Sequence, residues 1–213
     1  MPLNEQMREE LAGLIRKTDW REDLIISLKQ DIQKMELADV SAAIGAEVSQ
    51  GKLLMKCFWR DVAVGPDGEI EAREYLTPWM KILLLLYIKN GGGEALSGRW
   101  VLHSELRGGM MKASAFRREC EEPLRDLFDR HFRRTAAVLD GHGAEHPDGF
   151  PAPNAWLIRP FPRVPLLFLY WPEEDEFESK VTIRFDASAD RYFDVEQLIF
   201  LVEEVIRDID ALV

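Results

Sequence analysis

"VPLLFLYWPEEDEFESKVTIRFD", residues 164–186, holds the reading on which the fold turns. Residues 164–171 are apolar on both faces, as expected of a central strand covered on both sides. Residues 180–186 alternate instead: Val181, Ile183 and Phe185 share one face, and Lys180, Thr182, Arg184 and Asp186 share the other. That period of two makes a strand with one core face and one polar face. Between the strands, Glu173, Glu174, Asp175, Glu176 and Glu178 place five carboxylates within six residues. Two strands joined by so short a connection predict an antiparallel hairpin. At about 3.3 Å per residue, Asp186 lies roughly 20 Å from Lys180 and cannot join the acid cluster in one site. An ion pair with Arg163 is expected for it instead. An oxygen cage for a magnesium or calcium ion needs spaced ligands and a turn-forming glycine, as in the EF-hand, and this connection has no glycine. The plain expectation is a solvated turn, with a partner-binding surface or a hard-cation site as its alternatives.

Working outward, Asp194 and Gln197 form a capping-box pattern, and the helix they open buries Val195, Leu198, Ile199, Val202, Val205, Ile206 and Ile209 on one face. Upstream, "AWLIR" at 155–159 reads as a third strand, after a long polar loop, "DGHGAEHPDGFPAPN". "KLLMKCFWRDVAV" alternates over 52–64 as one strand, and "GPDG" at 65–68 turns it into "EIEARE", which makes a second hairpin. Thr77, Pro78 and Gly91 bracket a helix over 78–90 with an almost wholly apolar surface. Glycines at 108 and 109 mark a turn before a helix from about Lys112, and Pro123 opens another to about Leu139. The first fifty residues read as amphipathic helices over 3–17, 20–35 and 38–47. The fold class is therefore α+β: an antiparallel sheet packed with helices, preceded by a helical N-terminal section over 1–50, with 51–213 as the α+β domain and the two forming one structural unit.

A chain of 213 residues, 46% hydrophobic and 31% charged, has the composition of an ordinary globular protein. Acidic side chains in the first residues, and a longest apolar run of only "ILLLLYI" at 82–88, fit neither a secretory leader nor a membrane span. The expected compartment is the cytoplasm. Cys57 and Cys120 stand far apart, as in a reducing compartment, and are too few for an iron-sulfur cluster. Residues 172–213 hold 13 acidic and 4 basic side chains, so this stretch carries −9 of the net −11. Such a face repels nucleic acid phosphates and anionic lipid, so neither is expected as a partner, whereas a basic protein partner or the protein's own arginines could sit against it.

Two stretches carry candidate ligand-binding residues. In "ELRGGMMKAS" (105–114), Glu105, Gly108, Gly109 and Lys112 stand where a glycine turn meets a helix start, an arrangement that suits an anion held on backbone N–H groups. The spacing is not that of a phosphate loop. In the acid turn the candidates are Trp171, Asp175 and Glu176. His103 and Glu105 form H-x-E, half of a zinc deaminase signature, but the cysteine half is missing. His142 and His146, with Asp140, Glu145 and Asp148, form a loop cluster whose plain reading is exposed polar chain, with a transition-metal site as its alternative. No motif of an acyl hydrolase, a zincin or a dinucleotide-binding enzyme is present. No metal site, cofactor or catalytic residue is assigned.

"GRWVLHSELRGG", Phe116, "PLRDLF" and "PRVPLLFLYWPEEDEFESKVTIRFDASADRYFDVEQL" together resemble a family of functionally uncharacterised domains of anaerobic bacteria and archaea. Some relatives in that family are fused to an iron-sulfur cluster-binding domain, and several belong to organisms rich in corrinoid chemistry. The resemblance covers roughly residues 75–210. Its matching residues are Trp100, Glu105, Leu106, Gly108 and Gly109, then Trp171, Asp175, Glu176, Phe177, Phe185, Asp186, Ser188, Ala189, Tyr192 and Glu196. It implies an accessory or ligand-binding domain of anaerobic metabolism, with a pocket near "ELRGG" and the "WPEEDEF" turn as a further candidate. Two alternatives stand: a metal-assisted enzyme using Glu105, Asp175 or Glu176, and a protein-interaction module with an acidic C-terminal face.

Overall fold

The structure, a computed structural model, describes residues 20–91, 93 and 95–213. The helix expected over 3–17 lies outside them. Helix α1 runs over 20–32 and α2 over Leu37–Ile44, where Gly45 ends it in the left-handed conformation. Eight strands follow in two antiparallel sheets. The first is a meander of β1 (Glu47–Ser49), β2 (Lys52–Cys57), β3 (Arg60–Val64) and β4 (Ile70–Ala72). The second has the order β5-β8-β7-β6, from Trp100–Leu102, Lys180–Asp186, Val164–Trp171 and Asn154–Phe161. Helix α3 (Pro78–Asn90) follows the first sheet. The short α4 (Ala113–Phe116) runs through a π-turn at Arg117–Glu121 into α5 (Glu122–Gly141), and α6 (Val195–Asp210) closes the chain.

Local chemistry explains most of these boundaries. Thr77 Oγ1 accepts the Met80 N–H at 3.1 Å, and Gly91 ends α3 at φ 57°. Buried side chains surround α3, so it is a core helix, not a surface one. Asp194 Oδ1 accepts the Glu196 and Gln197 N–H groups, and Gln197 Oε1 accepts the Asp194 N–H at 3.1 Å, which completes the expected capping box. Strand β7 is buried from Val164 to Tyr170, with β6 on one side and β8 on the other. One hydrophobic cluster extends from Leu28 in α1 to Ile209 in α6, so the N-terminal helices and both sheets share a core.

The structure departs from the sequence reading in four places. Residues 52–64 are two strands, not one: Phe58 and Trp59 reverse the chain between them with φ values of 47° and 66°. Two-residue hairpin turns of this kind normally carry asparagine or glycine, so two bulky aromatics gave no turn signal. Strand β1 begins at Glu47, the last residue of the helix expected over 38–47, because Gly45 stops α2 early. There are two sheets, not one, and Asp186 forms no pair with Arg163. It accepts hydrogen bonds from Ser97, Gly98 and Ser188 instead.

A bulge in β6 joins the two sheets. Between the Ile158↔Leu166 and Phe161↔Val164 pairs the register shifts, with Pro160 and Pro165 at the irregularity. Proline has no N–H for the ladder and is tolerated at such points. Pro160 offers its carbonyl sideways, and the Phe58 N–H donates to it at 2.8 Å. Phe58, fully buried, then packs edge-on against Phe161 at 5.6 Å.

Candidate functional site

The turn that joins the sheets also builds the wall of a cleft of about 710 Å3, lined by Gly45, Lys56, Trp59, Asp61, His142 and Arg159 among others. Volumes of this size suit small molecules. Trp59 lies flat on the His142 imidazole, with centroids 4.6 Å apart and planes 11° from parallel. Helix α5 ends where His142 begins the loop, so the stack joins the first sheet to the C-terminus of that helix. Arg60, next in sequence, makes a two-pronged bond to Asp208 of α6, at 2.6 Å on each arm, and also donates to the Phe58 carbonyl at 2.7 Å. Among the described residues, Trp59 Nε1, Arg60 Nε and His142 Nε2 are buried without a hydrogen-bond partner. Burial holds the His142 pKa below its usual value, outweighing the pull of Asp208, so the ring is neutral at pH 7. On the rim, Lys56 pairs with Asp61 at 2.8 Å and Arg159 pairs with Glu145.

The residues singled out from sequence fall at two other places. Around "ELRGG", Glu105 Oε2 accepts the Leu102 N–H at 2.7 Å and caps its own 3-10 turn. Gly108 has φ 83°, and a methyl group at Gly109 would sit 1.8 Å from the His103 carbonyl oxygen. Glycine at 109 is therefore required by packing. Lys112 pairs with Glu196 at 2.5 Å. Beside this turn lies a hollow of about 580 Å3 that includes Arg107, Gly108 and Asp190. His103 stacks on Phe116 at 4.3 Å and contacts the Val195 carbonyl through Nε2, inside the core.

Trp171, Asp175 and Glu176 lie on the β7–β8 hairpin. Glu174 and Phe177 exchange two backbone hydrogen bonds across its tip, with Asp175 at φ 44°. The five carboxylates of the tip are all exposed. Trp171 faces a groove of about 730 Å3 shared with Pro151, Pro153 and Phe177. Among the described residues no group of three or more His, Cys, Asp or Glu side chains is placed to hold a metal ion. The loop histidines separate: His142 stacks on Trp59, while His146 contacts Asp140 and the Ala155 carbonyl.

Sequence reasoning missed Trp59. The only signal was an aromatic pair in the middle of an alternating run, and aromatics are what strands normally contain. Glu121 was missed as well. The π-turn, a feature frequent at functional sites, directs it to the Ile183 N–H at 3.1 Å, just past the end of β5.

No helix of the described residues is long and apolar enough to cross a membrane. The family model described as "Domain of unknown function (DUF3786)" matches residues 36–208. No curated protein and no solved structure matches the chain.

Proposed function

The chain belongs to the DUF3786 family, and from that membership and the geometry of the cleft between the sheets we propose that it is a cytosolic ligand-binding or accessory domain of anaerobic metabolism. The observation that carries the reading is the cost of the Phe58–Trp59 turn. A non-glycine residue held at positive φ costs about 1–3 kcal/mol. Phe58 offsets that cost by filling the core between the sheets. Trp59 stays half-buried: it packs against the core and flat on His142, and in that position it also gives a small-molecule-sized cleft an aromatic wall. Backbone strain retained in the wall of such a cleft supports a binding role. The ligand class that suits the wall is planar, with acceptor atoms within reach of Lys56 or Arg159.

Glu105, Gly108, Gly109 and Lys112 lie outside the lining of this cleft, as do Trp171, Asp175 and Glu176. Their candidacy rests on the hollow at Gly108 and on the groove at Trp171. The test is thermal unfolding of the purified protein, prepared without oxygen, against divalent metals, phosphates, corrinoids and planar heteroaromatic compounds. A ligand at 100 times its dissociation constant adds about 2.7 kcal/mol, which is roughly 5–10 °C in Tm for a chain of this size. The shift should vanish in Trp59→Gly, since glycine accepts the turn without strain and leaves the fold in place. A shift that survives this substitution, or no shift with any compound, would reject the cleft as the site. A shift with a divalent ion alone, lost in Asp175→Asn, would favour the metal-assisted enzyme.

A further inference from the structure

The groove beside the acidic hairpin is physically unlike the cleft. Its walls are Pro151, Pro153, Trp171, Pro172 and Phe177, and Phe177 is 77% exposed. Phenylalanine is poorly suited to the tip of a solvated turn, and no described residue buries it there. The exchange of hydrogen bonds between Glu174 and Phe177 makes them a directly opposed pair, so their side chains share one face, and both line the groove. Glu174 and Glu178 line this groove, Glu173, Asp175 and Glu176 stand on the same hairpin tip, and none of the five side chains makes a hydrogen bond or an ion pair with any described residue. Most other acids of residues 172–213 are engaged. Asp186 is buried under five donors, Asp208 binds Arg60, Glu204 binds Arg207 and Thr77, and Glu196 binds Lys112. The unneutralised charge of the C-terminal stretch is thus concentrated on the hairpin tip that walls this groove, with Glu174 and Glu178 in the groove itself. Its own cation, Lys180, already places its ammonium 5.5 Å from the centre of the Trp171 ring, so the face of that ring is in use as a cation platform.

We propose that this groove docks a basic segment of a partner protein, with lysine or arginine stems lying on Trp171, Phe177 and the prolines and their charged heads reaching the rim carboxylates. Long basic side chains are built for such a surface, because their stems are apolar and only their ends are charged. Nucleic acid and anionic membranes are repelled by the same charge. The groove lies apart from the cleft of the proposed function, so the two readings stand or fall separately.

The experiment is fluorescence anisotropy of the full chain with a labelled decapeptide of alternating lysine and leucine, and its glutamate–leucine counterpart as control. Saturable micromolar binding of the basic peptide alone is expected at 50 mM salt, weakened about tenfold at 300 mM. Phe177→Ser should weaken it about tenfold while keeping the salt dependence, and Glu174→Gln with Glu178→Gln should weaken it and flatten that dependence. These side chains are exposed, so the fold is unaffected, and Trp59→Gly should bind the peptide as the parent does. Absence of saturable binding overturns the proposal. So does binding that Phe177→Ser leaves unchanged, because general acidity then holds the peptide. Displacement by spermidine at equal concentration also overturns it, because the groove is then a small-cation site.

Discussion

Asp186 shows how much one side chain can organise. It is 1% exposed and accepts from the Ser97 and Ser188 hydroxyls and from the Ser97, Gly98 and Ser188 N–H groups. Burial alone would raise its pKa, but these donors outweigh burial and hold it below the usual carboxylate range. A folded-state pKa below the unfolded value means stability present above about pH 4 and lost as pH falls through the folded value. Asp186→Asn should cost about 2–4 kcal/mol at pH 7, roughly 4–16 °C in Tm, and the gap from the parent should close in acid. Calorimetric scans from pH 7 down to 3 would show it, and a constant gap would contradict the assignment. Glu121 has the opposite sign. Burial raises its pKa despite the Ile183 N–H and the nearby Lys180 and Arg117. Its contribution is therefore full below the unfolded value and lost as pH rises through the folded one. Glu121→Gln keeps an acceptor for Ile183 and should raise Tm by roughly 2 °C at pH 7.5, with no difference near pH 4.

At the scale of elements, the parts legible in the sequence were those governed by local rules. Helix α3 was readable because Thr77, Pro78 and Gly91 each satisfy a backbone need without help from the rest of the chain. The β7–β8 hairpin was readable because burial sets its period. The Phe58–Trp59 turn was not, since its conformation is imposed by Pro160 and Phe161, a hundred residues away in sequence. The candidate site was less legible still. The cleft joins a turn at 59 to a helix end at 142, and no spacing in one sequence marks that meeting. Tyr87 illustrates the same long-range logic inside a helix that was well read. Its hydroxyl donates to the Ile44 carbonyl at 2.6 Å and accepts the Arg163 N–H at 3.0 Å, tying the end of α2 and the β6–β7 turn to α3. Tyr87→Phe leaves both backbone groups unpaired beneath a stack of Phe161, Tyr192 and Phe193. About 2 kcal/mol should be lost, read as an earlier urea midpoint at unchanged slope.

For the whole molecule, the acid excess that the sequence concentrated in its last forty residues divides into two kinds once folded. Part of it is internal mortar: Asp208 reaches back from α6 to Arg60 beside the turn between β2 and β3, and both side chains are largely shielded, at 10% and 20% exposure. Guanidinium and carboxylate meet with two parallel bonds, the geometry that arginine provides and lysine cannot. The pair fixes the first sheet against the last helix, and so sets the height of Trp59 over His142. Removing either partner leaves a shielded charge without its counterpart, at a cost of about 3 kcal/mol. Once one charge has gone, removing the other should cost less. In a double-mutant cycle, Arg60→Ala and Asp208→Ala should therefore fall short of additivity by about 1–3 kcal/mol in urea unfolding. Additive costs would mean that the two residues stabilise their own elements independently. If the pair instead clamps the cleft, Arg60→Lys should reduce any ligand-induced shift in Tm more than it reduces the Tm of the free protein, because the lost second bond loosens the wall while the charge remains.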